Sequence, residues 1–253
     1  SGDIIIDPFL PKKRSASYWK GLKARNVATR GSVLNWSTDP IDLSGLAEID
    51  ASVNLKSTSI KYKGYNLQKA DLSFSVEQGK LRTNKFTGFM FGGLLDASVE
   101  STLNSRPQMK VIINTKGIDL EKTTSTLTGA PIAAGKMSLQ MSLNSVGSNQ
   151  AELVSGLGGR GSLNFKDINV RKGKNGTMLA GALGLVASIN QVSGLFVNSG
   201  KVSGLVNISG SFAINRGIAK SSNIQITSGL GDGKATGVVN LPKWGIDVKG
   251  NVK

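Results

Sequence analysis

The feature that most limits what this chain can fold into is alternation at a period of two. From Leu46 to Leu55 the text LAEIDASVNL sets Ala47, Ile49, Ala51, Val53 and Leu55 against Glu48, Asp50, Ser52 and Asn54. Successive side chains of an extended strand point to opposite faces, so such a run reads as a half-buried strand with one wet face. Similar runs follow: Ile60 and Tyr62; Leu72, Phe74 and Val76; Met109, Val111 and Ile113; Met137, Leu139, Met141 and Leu143; Leu163 and Phe165; Val202, Val206 and Ile208; Phe212 and Ile214; Ile224 and Ile226; Ile246 and Val248. The pattern predicts about a dozen strands, mostly joined by loops short enough for antiparallel neighbours. Glycine is plentiful at 32 residues and aromatics are scarce at 6%, which suits many short strands and turns better than one thick core.

The chain also writes one phrase twice. LSFSVEQGKLRTN at 72–84 and GSFAINRGIAKSS at 210–222 align without a gap at a constant offset of 138. Ser73 falls on Ser211, Phe74 on Phe212, Val76 on Ile214 and Gly79 on Gly217; further on, Phe86 meets Ile224, Gly93 meets Gly231, Ala97 meets Ala235 and Leu103 meets Leu241. What recurs is alternation, a glycine at a tight turn and a second alternating run, the pattern of a β-hairpin within a repeated architecture.

Three places interrupt the meander. Ile118–Leu127 (IDLEKTTSTL) reads as a short helix with Asp119 near its start, and Asn149–Leu157 as another helical turn running into glycines. The third is residues 175–200, which hold no charge. Its clean apolar core, Met178–Ile189, is too short to span a bilayer, and Leu179, Leu183, Val186 and Ile189 fall on one helical face, so a short helix packed on a sheet is expected. The fold class expected is all-β with a few short helices: a tandem antiparallel sheet of about a dozen strands, curved into a groove. The organisation expected is the end of a preceding strand unit at 1–11, a basic linker loop at 12–36, a first β-groove unit at 37–174, and a short helix with a second unit at 175–253. The chain opens directly on SGDIIIDPFLP, without a visible signal peptide, and reads as a piece of something longer. The apolar face must be closed by the sheet's own curvature or by something else. The competing reading is a sandwich in which that face packs on itself.

The formal charge of +15 invites a nucleic-acid reading, but its distribution argues against one. Lys12, Lys13, Arg14, Lys20, Lys23, Arg25 and Arg30 lie together with no acid among them, accompanied only by Tyr18 and Trp19, without the interleaved aromatics of a nucleic-acid surface. A solvated loop or an anionic lipid surface accounts for the run more simply. With no cysteine there is no disulfide framework and no thiolate chemistry, and with no histidine the usual general base is missing. Only Glu152, Asp167, Asp232 and Asp247 supply carboxylates between residues 127 and 253, too few for a paired-acid site. Gly156, Gly158 and Gly161 spell GxGxxG, yet a helical turn precedes and a strand follows, the reverse of the dinucleotide-binding order. SYWK at 17–20 matches SxxK without its partner motifs, and GLGDG at 229–233 offers one Asp where calcium wants six or more oxygens. No enzymatic activity, cofactor or metal site is expected.

A series of segments then carries a resemblance: DPFLP (Asp7–Pro11), WSTDPIDLSGL (Trp36–Leu46), the hairpin ending in EQGKL, FGGLLDASV (Phe91–Val99), KGIDLEK (Lys116–Lys122), LGGRGSLNFKDINVRKG (Leu157–Gly173) and the closing stretch from Gly210. In this order they resemble the C-terminal region of the AsmA family of Gram-negative envelope proteins. The resemblance implies an inner-membrane anchor outside this sequence, a periplasmic β-groove, and a role in phospholipid traffic to, or integrity of, the outer membrane. The basic linker departs from relatives, in which it is often rich in Ala and Pro. Physically, an acyl chain in water exposes about 0.8 kcal/mol per methylene, on the order of 12 kcal/mol for a 16-carbon tail. An apolar sheet face shields that tail without a specific pocket, and copies of one strand unit lengthen the groove. The residues expected to line it are Leu72, Phe74, Val76, Val111, Ile113, Leu139, Met141, Val206, Ile208, Phe212, Ile214, Ile224 and Ile226. The expected partners are phospholipid acyl chains, the inner membrane through that anchor, and outer-membrane components, with no nucleic acid. The alternatives are a non-enzymatic envelope scaffold that assists outer-membrane protein assembly by β-augmentation, and an extracellular adhesion solenoid.

Overall fold

A computed structural model describes residues 2–5, 36–62, 64–129, 131, 133–170, 205–229, 231–243 and 245–252. The basic linker up to residue 35, the short helix expected after Gly176 and the strand start at Val202 lie outside the described residues. The described strands form one sheet in sequence order. They are β1 (Asp3–Ile5), β2 (Ala51–Tyr62), β3 (Tyr65–Glu77), β4 (Lys80–Met90), β5 (Gly93–Thr102), β6 (Gln108–Asp119), β7 (Ala133–Val146), β8 (Gly158–Val170), β9 (Val206–Asn215), β10 (Ile218–Ser228), β11 (Gly231–Asn240) and β12 (Gly245–Val252). β1 runs parallel to β2 and every other pairing is antiparallel. The sheet does not close into a barrel, and no second sheet covers it among the described residues. The sandwich reading is thereby corrected. A twisted sheet of this many strands curls rather than staying flat, and it forms a curved groove.

The repeat is present at the level of single hydrogen bonds. β4 and β10, and β5 and β11, have boundaries that coincide at the offset of 138. The turns match too: Gln78 and Gly79 (φ 50° and 69°) correspond to Arg216 and Gly217 (φ 48° and 71°). Positive φ at both central residues is the two-residue hairpin turn whose twist agrees with that of the strands, and glycine at the second position adopts it without strain. Beyond each turn the same bond recurs, Leu103 N–H to the Gly79 carbonyl (2.8 Å) and Leu241 N–H to the Gly217 carbonyl (2.9 Å).

Two helices mark the ends of the strands. α1 (Leu120–Thr128) is capped by the Asp119 carboxylate, which accepts from the Lys122 N–H, and ends on Gly129 at φ 77°. It lies along one rim: a Cβ on Gly64, in the β2–β3 turn, would sit 3.9 Å from Thr126 Cγ2, and one on Gly92, in the β4–β5 turn, 3.5 Å from Lys122 Nζ. α2 (Gln150–Ser155), at the opposite rim, is capped by Asn149. Both follow the sequence signals of a capping side chain before the helix.

The text LAEIDASVNL is only half strand. Ser44–Leu46 form a 3-10 turn and the strand begins at Ala51, so the expected strand start at Leu46 is corrected. Residues 36–50 instead run along the α2 rim as a strap. Trp36 Nε1 donates to the Leu241 carbonyl (2.9 Å), Ala151 N–H to that of Ser37 (3.0 Å), Ile41 N–H to that of Ser148 (2.7 Å) and Leu43 N–H to that of Asn104 (3.3 Å). Asp50 accepts from the Gln78 N–H (3.2 Å). In the part expected to be strand, the Ala47 N–H donates to the Ser44 carbonyl (2.9 Å) and the Ile49 N–H to that of Leu46 (3.3 Å), so these groups are spent on local turns.

Candidate functional site

Paired residues in a ladder share a face, so the register itself assembles the site. One row runs Val99, Val111, Leu143, Gly159, Ile214, Ala219 and Val239 across seven strands. Its neighbour runs Ala97, Ile113, Met141, Gly161 and Phe212, and the next Leu95, Thr115, Leu139, Leu163 and Gly210. Nearer the α1 rim come Ile118, Met137, Phe165, Ile208 and Ile226, then Ile168 and Val206. On the first strands Leu55, Leu72 and Phe86 pair, as do Val53, Phe74 and Thr83, and Val76 with Leu81. Ile224, paired with Ala235, lies two residues before Ile226 on the same side, so all thirteen residues expected to line a groove share one face, the inner face. Phe86, Leu95, Val99, Leu163 and Phe165 lie there as well, although the sequence reading had not placed them in the site.

Bulges keep the face continuous. Register shifts fall between Gln68 and Asp71, Ser73 and Phe74, Thr115 and Ile118, Phe165 and Ile168, and Ser221 and Ile224. At each, one extra residue resets the parity, so Leu67 and Ala70, or Phe165 and Ile168, face the same way although three apart. These positions were not readable from alternation alone.

The inner face is apolar, free of charge and only partly covered. No Asp, Glu, Lys or Arg of the described strands falls on its register. Its hydroxyls are engaged: Thr115 Oγ1 accepts from the Leu139 N–H (3.0 Å), Thr83 Oγ1 is bonded to the Val99 backbone, and Ser145 Oγ donates to the Leu153 carbonyl (2.5 Å). Three buried clusters cover parts of it: one around Ile60, Leu67, Ala70 and Leu72; one around Leu120 of α1 with Phe165 and Ile168; one around Ile226 and Ala235. Between them Phe74, Val76, Val111, Ile113, Leu139, Met141, Phe212 and Ile224 stay half-buried, though they sit in mid-sheet. In a two-layer core such positions would be covered by the facing layer. A cavity of about 120 Å3 opens beside Phe165, Phe212, Ile224 and Val248, lined almost wholly by carbon.

The glycines of the GxGxxG stretch belong to this packing. Gly159 and Gly161 lie within β8, and a Cβ on Gly161 would stand 2.6 Å from Phe212 Cζ, so the missing side chain is what lets the ring lie over the strand.

Charge is confined to the outer face and the rims. Lys61 pairs with Asp3 (2.8 Å), Lys136 with Asp119 (2.9 Å), and Lys85 with Asp71. Partial burial raises the Asp119 pKa, but the Lys136 ammonium and the Lys122 N–H outweigh it, and the carboxyl titrates below its ordinary value. The Lys85 ammonium lowers Asp71 in the same way, and the Ser148 N–H lowers Glu152. Each of these acids serves a cap, a turn or an ion pair. No group of three or more metal-ligating side chains occurs among the described residues, and none of their helices is long and apolar enough to cross a membrane.

Comparison with curated proteins and with solved structures gave no match. A sequence model of the AsmA family matches residues 12–221, which span the rim strap, the eight strands β2–β9, the start of β10 and both helices. On that match, and with the all-β groove it accompanies, the chain belongs to the AsmA family.

Proposed function

We propose that this chain is a periplasmic, non-enzymatic segment of a lipid conduit, held at the inner membrane by an anchor elsewhere in the protein. It shields phospholipid acyl chains on their way between inner and outer membranes, and so maintains the outer membrane. Family membership supports an envelope role. The observation that carries the lipid reading is the uncharged, hydroxyl-satisfied, half-covered inner face from β2 to β11.

Its dimensions agree with the reading. The ten strands from β2 to β11 stand about 4.8 Å apart, giving a path of roughly 43 Å along the curve. One leaflet's hydrocarbon is about 15 Å deep, half of a roughly 30 Å core, so nearly three acyl chains fit end to end. Each methylene moved from water to this face gains up to about 0.8 kcal/mol, less where one side stays open to solvent. Binding needs no headgroup pocket, and a lipid is free to slide because the rows repeat every strand.

The test is native mass spectrometry of gently extracted protein, with lipid extraction of the same sample. Copurified phospholipid at stoichiometric ratio is the expected result. A clean apo protein that also fails to take up fluorescent phospholipid from vesicles would overturn the proposal.

One observation favours the scaffold reading. β1 pairs with β2 only over Ser59–Lys61, so among the described residues the outer edge of β2 from Ala51 to Lys56 is unpaired, beside exposed Val53 and Ile49. Such an edge accepts an extended peptide by β-augmentation. Binding of strand peptides from outer-membrane proteins without lipid uptake would favour it.

A further inference from the structure

On the outer face, opposite the groove, a hollow of about 570 Å3 opens over β6–β10. Two cations frame it. Arg160 on β8 and Lys220 on β10 are both paired in register with Ala213 on β9 between them. They stand two strand spacings apart, roughly 9.6 Å, and the methyl of Ala213 leaves the gap open. Both are exposed, and neither takes part in an ion pair among the described residues.

Alongside this row lies a second, made of amides and hydroxyls: Asn114, Gln140, Ser162 and Ser211, paired strand by strand. The bulge in β10 brings in one more amide, where Asn223 Oδ1 accepts from the Ser211 N–H (3.0 Å) and Nδ2 donates to Ser211 Oγ (2.8 Å). No carboxylate lines the hollow.

We infer that this hollow is a binding site for a phosphorylated saccharide. Arg160 and Lys220 hold the phosphate across Ala213, and Gln140, Ser162 and Ser211, within two strand spacings of it, meet the ring hydroxyls. Guanidinium and ammonium groups with no acid between them select an anion. A ladder of amides and hydroxyls, able to donate and accept, matches vicinal hydroxyls better than it matches hydrocarbon. Phe212 and Met141 also border the hollow, but their register turns their side chains to the inner face, so the outer-face side chains offer a nucleobase no ring to stack on. The sheet itself separates the site from the acyl path, so it is independent of the lipid reading.

The experiment is NMR titration of the intact chain with glucose 6-phosphate, with inorganic phosphate and glucose run separately, and with phosphatidylglycerol vesicles as a further arm. Glucose 6-phosphate should shift the amides of Ala213, Ser211 and Ser162 and bind more tightly than phosphate alone. R160Q and K220Q, both at exposed positions, should each weaken it about tenfold while leaving the remaining amide spectrum in place. Q140A should weaken glucose 6-phosphate but not inorganic phosphate. Equal affinity for the two anions would reduce the site to a charge patch and overturn the saccharide assignment. Shifts produced only by the vesicles, or no shift from glucose 6-phosphate at 20-fold excess over about 1 mM protein, would overturn it as well.

Discussion

Replacing Phe212 with Asp separates a groove from a closed core. The ring lies in mid-face over Gly161 and is half-buried. Full burial of such a side chain is worth about 3 kcal/mol, so losing half of it costs roughly 1.5 kcal/mol of folding free energy. The new carboxylate keeps its water in the unliganded protein, because no second layer covers the position. A domain of ordinary stability, about 5–15 kcal/mol, survives that loss. An acyl chain passing the site must strip the carboxylate of water or detour around it, at about 3 kcal/mol or more, which weakens lipid binding roughly a hundredfold. Ile226, 1% exposed on the same face, supplies the contrast: Ile226→Asp buries an unpaired charge and should unfold the second set of hairpins. The assay is far-UV circular dichroism with phospholipid quantified on the same preparation. The expected result for Phe212→Asp is β-structure retained and lipid lost. Lost structure would show that the face is closed, and retained structure with undiminished lipid would remove Phe212 from the path.

Other expectations follow from particular contacts. Gly217→Ala places a Cβ 2.4 Å from the Val154 carbonyl oxygen at φ 71°, whereas Gly79→Ala at the matching turn has 3.8 Å of room; urea melts should show a cost of about 3 kcal/mol for the first and about 1 kcal/mol for the second. Asp119 has its pKa depressed by folding, so its contribution is present above the unfolded value near 3.9 and is lost as pH falls through the folded value; thermal melts of Asp119→Asn should lose part of the destabilisation seen below about pH 4. Because the inner face carries no Asp, Glu, Lys or Arg and the chain has no histidine, phospholipid affinity should be flat from about pH 5 to 9 and insensitive to salt; a titration in that window would place an ionisable group in the path.

The strands, the repeated hairpin and both helix starts were legible in the sequence because each is a local signal. Alternation gives the faces of a single run, Gly79 and Gly217 mark turns that only positive φ satisfies, and Asp119 and Asn149 announce caps. Leu46–Asp50 misled because its alternation is genuine while its partners are not: Ala47 and Ile49 have strand spacing, but their N–H groups donate to the Ser44 and Leu46 carbonyls in local turns instead of to a ladder. The bulges were hidden for the complementary reason. A shift of parity between Phe165 and Ile168 depends on the neighbouring strand, which no single run reports. The hollow around Arg160 and Lys220 was further from reach, since it exists only once β8, β9 and β10 are laid side by side.

A sheet made of successive hairpins has no means of counting its own strands. Were one hairpin deleted or duplicated, each remaining strand would still find a neighbour, and the ladder would close over the change. The rim strap is where such an error registers. Trp36 meets a carbonyl 205 residues away, after the same segment has met Gln150, Ser148, Asn104 and Gln78 in turn. Adding or removing one hairpin shifts the far end of the rim by about 10 Å, and Trp36 then no longer reaches Leu241. Residues 36–50 thus act as a ruler laid along the sheet, fixing how many hairpins this segment holds while the hairpins themselves remain interchangeable.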